Sequence, residues 1–254
     1  MKSRNIIIAT VALLITGWAN AQEYKVAKST GRLEINLGRV TVEGHSGNEI
    51  IFSSKNYKDE KDPRSEGLRS VNSLGLEDNT GLGINVQDKG NVVEVYQLKK
   101  TSSPDIKILV PKGMIVSVRH DSQYGNEIKF KNIENEIEVS AQYNSVELDN
   151  VTGPLTVKTI YGHIEAVFGS TIKDPVSIVS VYGYVDVTLP QTTRANLKLS
   201  TSYGEILVAP ELKLEVNPSG KYSDRISGKL NGGGEGAVNI DLSCNYGKVY
   251  LRKK

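Results

Sequence analysis

The chain has 254 residues, with 31 Lys and Arg against 29 Asp and Glu. Taking away Lys2 and Arg4 of its leader brings the balance to 31 − 2 = 29 against 29. A neutral chain is a poor nucleic-acid binder, since such binding needs a basic patch, and the single Cys244 excludes an internal disulfide framework.

Residues 1–21 read as a secretory signal peptide: basic Lys2 and Arg4, an apolar run from Ile6 to Ile15, and the small-x-small pattern Ala19-Asn20-Ala21. The apolar run is shorter than the roughly 20 residues that span a bilayer, so cleavage before Gln22 is expected rather than anchoring. No later stretch is long and apolar enough for a transmembrane helix, which places residues 22–254 as one exported domain, in the periplasm or at the cell surface.

The mature chain opens on a polar stretch, Gln22 to Thr30, expected to fray or begin a strand. Leu33, Ile35 and Leu37, then Val40 and Val42, then Ile50 and Phe52 alternate with polar residues, the pattern of half-buried strands. Gly38, Gly44 and Gly47 are expected turns. Residues 53–70 are dense in charge, carry Pro63 and Gly67, and form an expected exposed loop. Alternation resumes at Leu82, Ile84 and Val86 and at Val93 and Val95, with Asp88-Lys89-Gly90-Asn91 as a hairpin turn between them. Ile106 to Val110 is a strand closed by Pro111, with Lys112-Gly113 as the following turn. No amphipathic helix of useful length occurs after the leader.

From Val116 to Lys254 the chain repeats. Tyr124-Gly125, Tyr143-Asn144, Tyr161-Gly162, Tyr182-Gly183, Tyr203-Gly204 and Tyr246-Gly247 are spaced by 19, 18, 21, 21 and 43 residues, the last step close to two periods. Aligned on the tyrosines, Val118, Ile137, Leu155, Val176, Leu197 and Ile240 stand six before. Four before stand His120, Val139, Val157, Ile178, Leu199 and Leu242. Two before come only smaller residues: Ser122, Ala141, Thr159, Ser180, Thr201 and Cys244. Apolar residues recur three and five after, with Ile128 and Phe130 one residue late in the first unit. Tyr222 marks a degenerate unit between Tyr203 and Tyr246, where Pro210, Pro218 and the run Asn231 to Gly236 interrupt the pattern.

An antiparallel meander with Tyr-Gly hairpins would put tyrosine where φ is positive, six times over. Recurrence of one residue type at one phase instead points to coils stacked about 4.8 Å apart. The expected fold is therefore an all-β, single-stranded, right-handed parallel β-helix (β-solenoid) with about 20 residues per coil. Its tyrosines would form a ladder along one corner, its glycines and Asn144 would make the bend by positive φ or close approach, and the small column would leave room. Cys244 in that column reads as a packed thiol rather than a nucleophile. The charged Arg252-Lys253-Lys254 would guard the end of the stack.

The leader, the strand Ile106 to Gly113 and the strand-Tyr/Gly-strand units resemble the bacterial "putative adhesin" family of unknown function, whose relatives include head domains of "putative" auto-transporter adhesins. The resemblance covers about Leu33 to the C-terminus. It implies a short right-handed parallel β-helix and a surface or periplasmic role, and supplies no catalytic residues.

Parallel β-helices also carry polysaccharide lyases and hydrolases. Glu147, Glu165 and Asp186 fall in one outward column, with Ser145, His163, Tyr184 and Glu205 in the column two before. His163, Glu165, Tyr184 and Asp186 are thus the candidate surface site, for glycosidic chemistry by paired carboxylates or for Ca²⁺. The opposing expectation is a solvated strand face with Lys158 and Lys198 nearby. His120, in a first coil read as a cap, is expected to meet solvent or a loop. No metal-ligand spacing or Ser/His/Asp arrangement occurs, and no cofactor is implied. The function expected is a non-catalytic, adhesin-like scaffold or binding module presenting a rigid face to a partner protein or glycan; the alternative is a carbohydrate-active enzyme using the carboxylate column.

Overall fold

The structure is a computed structural model and describes residues 22–54, 63–66, 68, 71–217 and 225–254. The leader 1–21, much of the loop 53–70, Pro218 and Tyr222 lie outside the described residues.

Among the described residues, twenty-one strands form two long, mostly parallel sheets, and the single helical element is a 3-10 turn at Pro63–Ser65. One strand of each sheet makes a rung. The rungs in chain order are β2 (Thr30–Asn36) with β3 (Val40–His45), β6 (Val92–Gln97) with β7 (Ile106–Pro111), β8 (Gly113–His120) with β9 (Glu127–Lys131), β10 (Ile137–Ala141) with β11 (Ser145–Val151), and β12 (Leu155–Thr159) with β13 (Ile164–Phe168). Then come β14 (Val176–Ser180) with β15 (Val185–Leu189), β16 (Ala195–Thr201) with β17 (Ile206–Val208), and β20 (Val238–Cys244) with β21 (Val249–Lys253). Tyr-Gly units that neighbour each other in the stack pair in parallel, so the antiparallel meander is ruled out and the architecture is solenoid-like.

The alternating residues all point inward between the two sheets. Ile137, Leu155, Val176 and Ile240 stack in register, as do Val146, Ile164, Val185 and Val249, each almost wholly buried. β-branched side chains suit this interior, because they are stiff and pack against the same residue one rung away.

The order of rungs is not the order of the chain. At the C-terminal end β20 lies between β14 and β16, and β21 between β15 and β17, so the last rung of the chain is the penultimate one of the stack. The first rung is placed the same way: β2 lies between β8 and β6 (Val92–Gln97), and β3 between β9 and β7 (Ile106–Pro111). Both terminal rungs are hydrogen-bonded on two sides, which protects the segments that ordinarily fray first.

Antiparallel strands close the ends. β1 (Glu23–Val26) pairs with β4 (Ile50–Ser53) and β4 with β7; β5 (Ile84–Asp88) pairs with β6 through the expected turn; β18 (Leu214–Asn217) and β19 (Arg225–Leu230) form a hairpin on β16. The open side of β5 is covered by Asn79, whose amide donates to Val86 O at 2.7 Å and accepts from Val86 N at 2.9 Å, the bonds a further strand would make.

Several expectations are corrected here. Gln22 to Thr30 does not fray but supplies β1 and the start of β2, and Gly44 lies within β3 rather than in a turn. The charged C-terminus does not guard the end of the stack: β17 and the β18–β19 hairpin lie beyond it, and Lys254 N donates to Leu189 O at 2.9 Å. The first repeat is displaced by two residues. Val116, Val118 and His120, not Val118, His120 and Ser122, pair with Ile137, Val139 and Ala141. The extra chain is taken up in the loop 121–126, where no core contact holds the phase.

Candidate functional site

The corner between the two sheets is built from a glycine, a hydrogen-bond donor and a tyrosine in each rung. None of Gly162, Gly183, Gly204 and Gly247 has a positive φ, so bending is not why glycine is needed. Close approach is. A Cβ on Gly183 would strike Gly162 O, on Gly247 it would strike Gly183 O, and on Gly204 it would strike Gly247 O, each well inside the 3.0 Å that real Cβ atoms keep.

The column two residues before the tyrosines does more than leave room. Thr159 Oγ1 donates to Asn144 O at 2.8 Å, Ser180 Oγ to Gly162 O at 2.8 Å, Cys244 Sγ to Gly183 O at 3.3 Å and Thr201 Oγ1 to Gly247 O at 3.1 Å. Each of these residues is buried and satisfies a corner carbonyl of the next rung. Cys244 is therefore a donor in a hydroxyl column, and burial pushes its thiol pKa up. We expect Cys244→Ser to keep native stability and Cys244→Ala to lose about 1 kcal/mol, measured by urea unfolding, and the native thiol to resist alkylation until the protein is unfolded.

Asn144 takes the glycine position in its rung but does another job. Its side chain is fully buried. Its amide donates to Gly38 O at 2.8 Å and Asn126 O at 3.1 Å, and its Oδ1 lies 2.8 Å from His120 Nδ1. An amide oxygen only accepts, so His120 Nδ1 is the donor in this bond. His120 is buried inside the stack because β2 and β3 cover its rung, so of the two expected surroundings, solvent or a loop, it meets the loop: its partner Asn144 lies between β10 and β11.

Above this frame the tyrosines stand in single file. Ring centroids are 5.1 Å apart from Tyr143 to Tyr161, 5.2 Å to Tyr182, 4.7 Å to Tyr246 and 4.9 Å to Tyr203, with interplanar angles of 8–17°. The file thus follows the spatial order of rungs, with Tyr246 before Tyr203. Backbone bonds carry the ladder through the corner beneath it, as from Tyr161 N to Gln142 O and Tyr182 N to Ile160 O. Tyr124 and Gly125 stand in the displaced first unit, and Tyr124 makes no ring contact with the file among the described residues. The five stacked rings remain 43–74% exposed.

The candidate surface residues lie together on the sheet beside the file. Glu147, Glu165 and Asp186 are neighbours in register, continued by Tyr250 and Leu207. His163 stacks on Tyr184 at 4.7 Å and its Nδ1 lies 3.0 Å from Ser145 Oγ. Each carboxylate has its own partner: Lys129 Nζ at 2.6 Å from Glu147, the Tyr184 hydroxyl donating to Glu165 at 2.5 Å, and Arg252 Nε at 2.7 Å from Asp186. Arg252 also lies over the Tyr250 ring at 5.2 Å. Lys158 and Lys198, expected to soften this column, are on the other sheet, on β12 and β16. Lys248 stands between Tyr184 and Glu205 and pairs with Glu205 at 2.7 Å. No group of His, Cys, Asp or Glu able to hold a metal ion occurs among the described residues.

Burial, and then the hydrogen bond to Glu165, push the Tyr184 hydroxyl up to about 12, which keeps it a donor at physiological pH. The hydrogen bond from Lys129 holds Glu147 below the usual 4.5, and that from Arg32 does the same for Glu138. A carboxylate depressed in the folded state stabilises the fold above its unfolded value and stops doing so as pH falls through its folded value. Urea midpoints should therefore be flat down to about pH 5 and fall below 4.5, and Lys129→Met should shrink that acid limb.

The two hollows described on the protein lie on the opposite sheet. One of about 190 Å³ is bounded by Arg119, Glu138 and Thr156, and one of about 360 Å³ by Asn36, Asp121 and Gln142; neither reaches the carboxylate column. No helix among the described residues is long and apolar enough to cross a membrane.

The profile of the family described as Toastrack DUF4097 matches residues 125–251. No curated protein sequence matches the chain. Among solved structures, it is similar to a "putative cell adhesion protein" from Clostridium sporogenes, with 13% identity, a TM-score of 0.47, and coverage of 92% of this chain and 100% of that one. It is also similar to a "putative adhesin" from Bacteroides fragilis, with 11% identity, a TM-score of 0.36, and coverage of 90% and 95%.

Proposed function

The chain belongs to the Toastrack DUF4097 family, and from that premise we propose that it is an exported, non-catalytic, adhesin-like module that offers its tyrosine corner to a partner protein or glycan. The observation that carries this reading is the file of five exposed, mutually stacked tyrosines on a frame whose corner glycines lie in close approach to the carbonyls of the neighbouring rung. Exposed aromatic side chains are what binding surfaces are enriched in. Rings already ordered by stacking lose little further freedom on contact, so more of each interaction survives as affinity. The carboxylate column beside the file supports a structural face rather than a catalytic one, since each acid is already tied to a cation or a phenol. Export rests on the leader at residues 1–21, with the periplasm or cell surface as destination. From β8 to β15, where the rungs follow the order of the chain, we read the winding as a right-handed coil of about 20 residues per turn, the hand that parallel crossovers take.

The test is an array of glycans and envelope proteins probed with the purified protein and with a Tyr161→Ala/Tyr182→Ala variant. Retention of ligands by the native protein, lost in the variant without loss of fold, is the expected result. Equal retention by both would remove the file from the function. Cleavage of a polysaccharide that Glu165→Gln or Asp186→Asn abolishes would make the protein an enzyme instead.

A further inference from the structure

Resting on that reading, we propose that the tyrosine file is a track for a neutral β-1,4-linked polysaccharide, laid along the stack with one sugar per rung. Offset-stacked rings cover each other's faces and leave their edges to solvent, which is why the tyrosines stay exposed while stacked. The hydroxyls of Tyr143, Tyr161, Tyr182, Tyr246 and Tyr203 have no hydrogen-bond partner among the described residues. What repeats along the corner is therefore a row of free phenolic hydroxyls, each both donor and acceptor, spaced like the rings at 4.7–5.2 Å.

Period decides which polymer can use such a row. An extended β-1,4-linked pyranose chain advances per sugar by nearly the distance between rungs, about 4.8 Å. Successive sugars then meet successive tyrosines, alternate sugars turned over, so that the same sugar edge returns at every second ring. A polypeptide strand laid the same way presents a side chain to one face about every 6.7 Å and falls out of step within two or three rungs.

The flanking columns fit an uncharged ligand. The residues before the five tyrosines in the file are Gln142, Ile160, Val181, Asn245 and Ser202, none of them ionisable. In the column two after, the opposite charges Lys248 and Glu205 neutralise each other, beside Ser145, His163 and Tyr184. Hydroxyls and amides around apolar patches suit sugar hydroxyls and ring C–H groups, whereas a polyanion would find no cationic row to pay for its desolvation.

The experiment is calorimetric titration of the purified protein with cello- and chito-oligosaccharides of increasing length. Malto-oligosaccharides and an anionic β-1,4-linked polyuronate serve as controls. Affinity should rise with length up to about five sugars, one per stacked tyrosine, and then level off, with both controls weaker. Tyr161→Phe/Tyr182→Phe keeps the stack but removes two hydroxyls, and should weaken binding about tenfold without moving the urea midpoint. The proposal is overturned if no neutral β-1,4 oligomer binds, if affinity ignores length or linkage, if the polyuronate binds best, or if the Phe variant binds as the native protein does. An envelope protein held by the file, with no glycan bound, would overturn the polysaccharide track and leave the binding module standing; loss of both would overturn both.

Discussion

Gly247→Ala should destabilise the protein by about 3 kcal/mol or more, a far larger effect than a methyl group ordinarily has at a half-exposed glycine. The added Cβ would meet the backbone carbonyl of Gly183 with the Cys244 sulfur beside it. No side chain can rotate away to relieve the clash. The only relief is for the corner to open between β15 and β21, and the parallel pairing from Val185–Val249 onward begins immediately after it. Gly183→Ala should behave alike, because its Cβ would meet Gly162 O. Ser202→Ala, one residue before Tyr203 and exposed, is the control and should be nearly silent. Urea midpoints compared at constant slope measure this; a Gly247→Ala protein within about 1 kcal/mol of native would show that the rungs are not in closest approach here.

Asn144→Gly is the second large effect, and the repeat and the structure predict opposite signs for it. Every other Tyr unit in the file has glycine at this position, so restoring the pattern looks harmless or favourable by repeat logic. In the structure the substitution removes the acceptor of His120 and the donor to Gly38 O and Asn126 O, all at one buried seam. Leaving a buried His120 donor and the Asn126 carbonyl without partners, and Gly38 O with Asn126 N as its remaining donor, should cost about 2 kcal/mol or more. Asn144→Asp should also be costly, since it keeps the acceptor for His120 but turns an oxygen toward Gly38 O and Asn126 O. A stabilised Asn144→Gly protein in thermal or urea melts would contradict the seam.

These two positions show where sequence reasoning reached and where it stopped. The phase of Val146, Ile164, Val185 and Val249 was legible because a strand has a fixed period and a buried face admits only apolar side chains. Parallel stacking was legible from the repeated tyrosine, which cannot recur at a positive φ without cost. The identity of the small column was visible, but its purpose was not: Thr159, Ser180, Thr201 and Cys244 share size and also share a polar hydrogen, and only the position of the facing carbonyls separates the two reasons. The outward column of Glu147, Glu165 and Asp186 was found as a column, while its partners Lys129 and Arg252 belong to rungs whose adjacency depends on stacking order.

The sequence by itself determined the alternation, the period and the tyrosine corner, since each follows from local steric and solvation rules that act within one coil, and it determined that residues 22–254 are neutral and carry no internal disulfide. Tertiary structure alone decided which coil lies on which. Units in the same phase are interchangeable as neighbours, so nothing local tells the rung at Tyr246 to sit between those of Tyr182 and Tyr203, or the first rung to slip beneath β6 and β7. The stacking order leaves two ends, closed by β18 with β19 at one and by β1, β4 and β5 at the other. It sets the order of the tyrosine file, and with it the surface on which the proposed function rests.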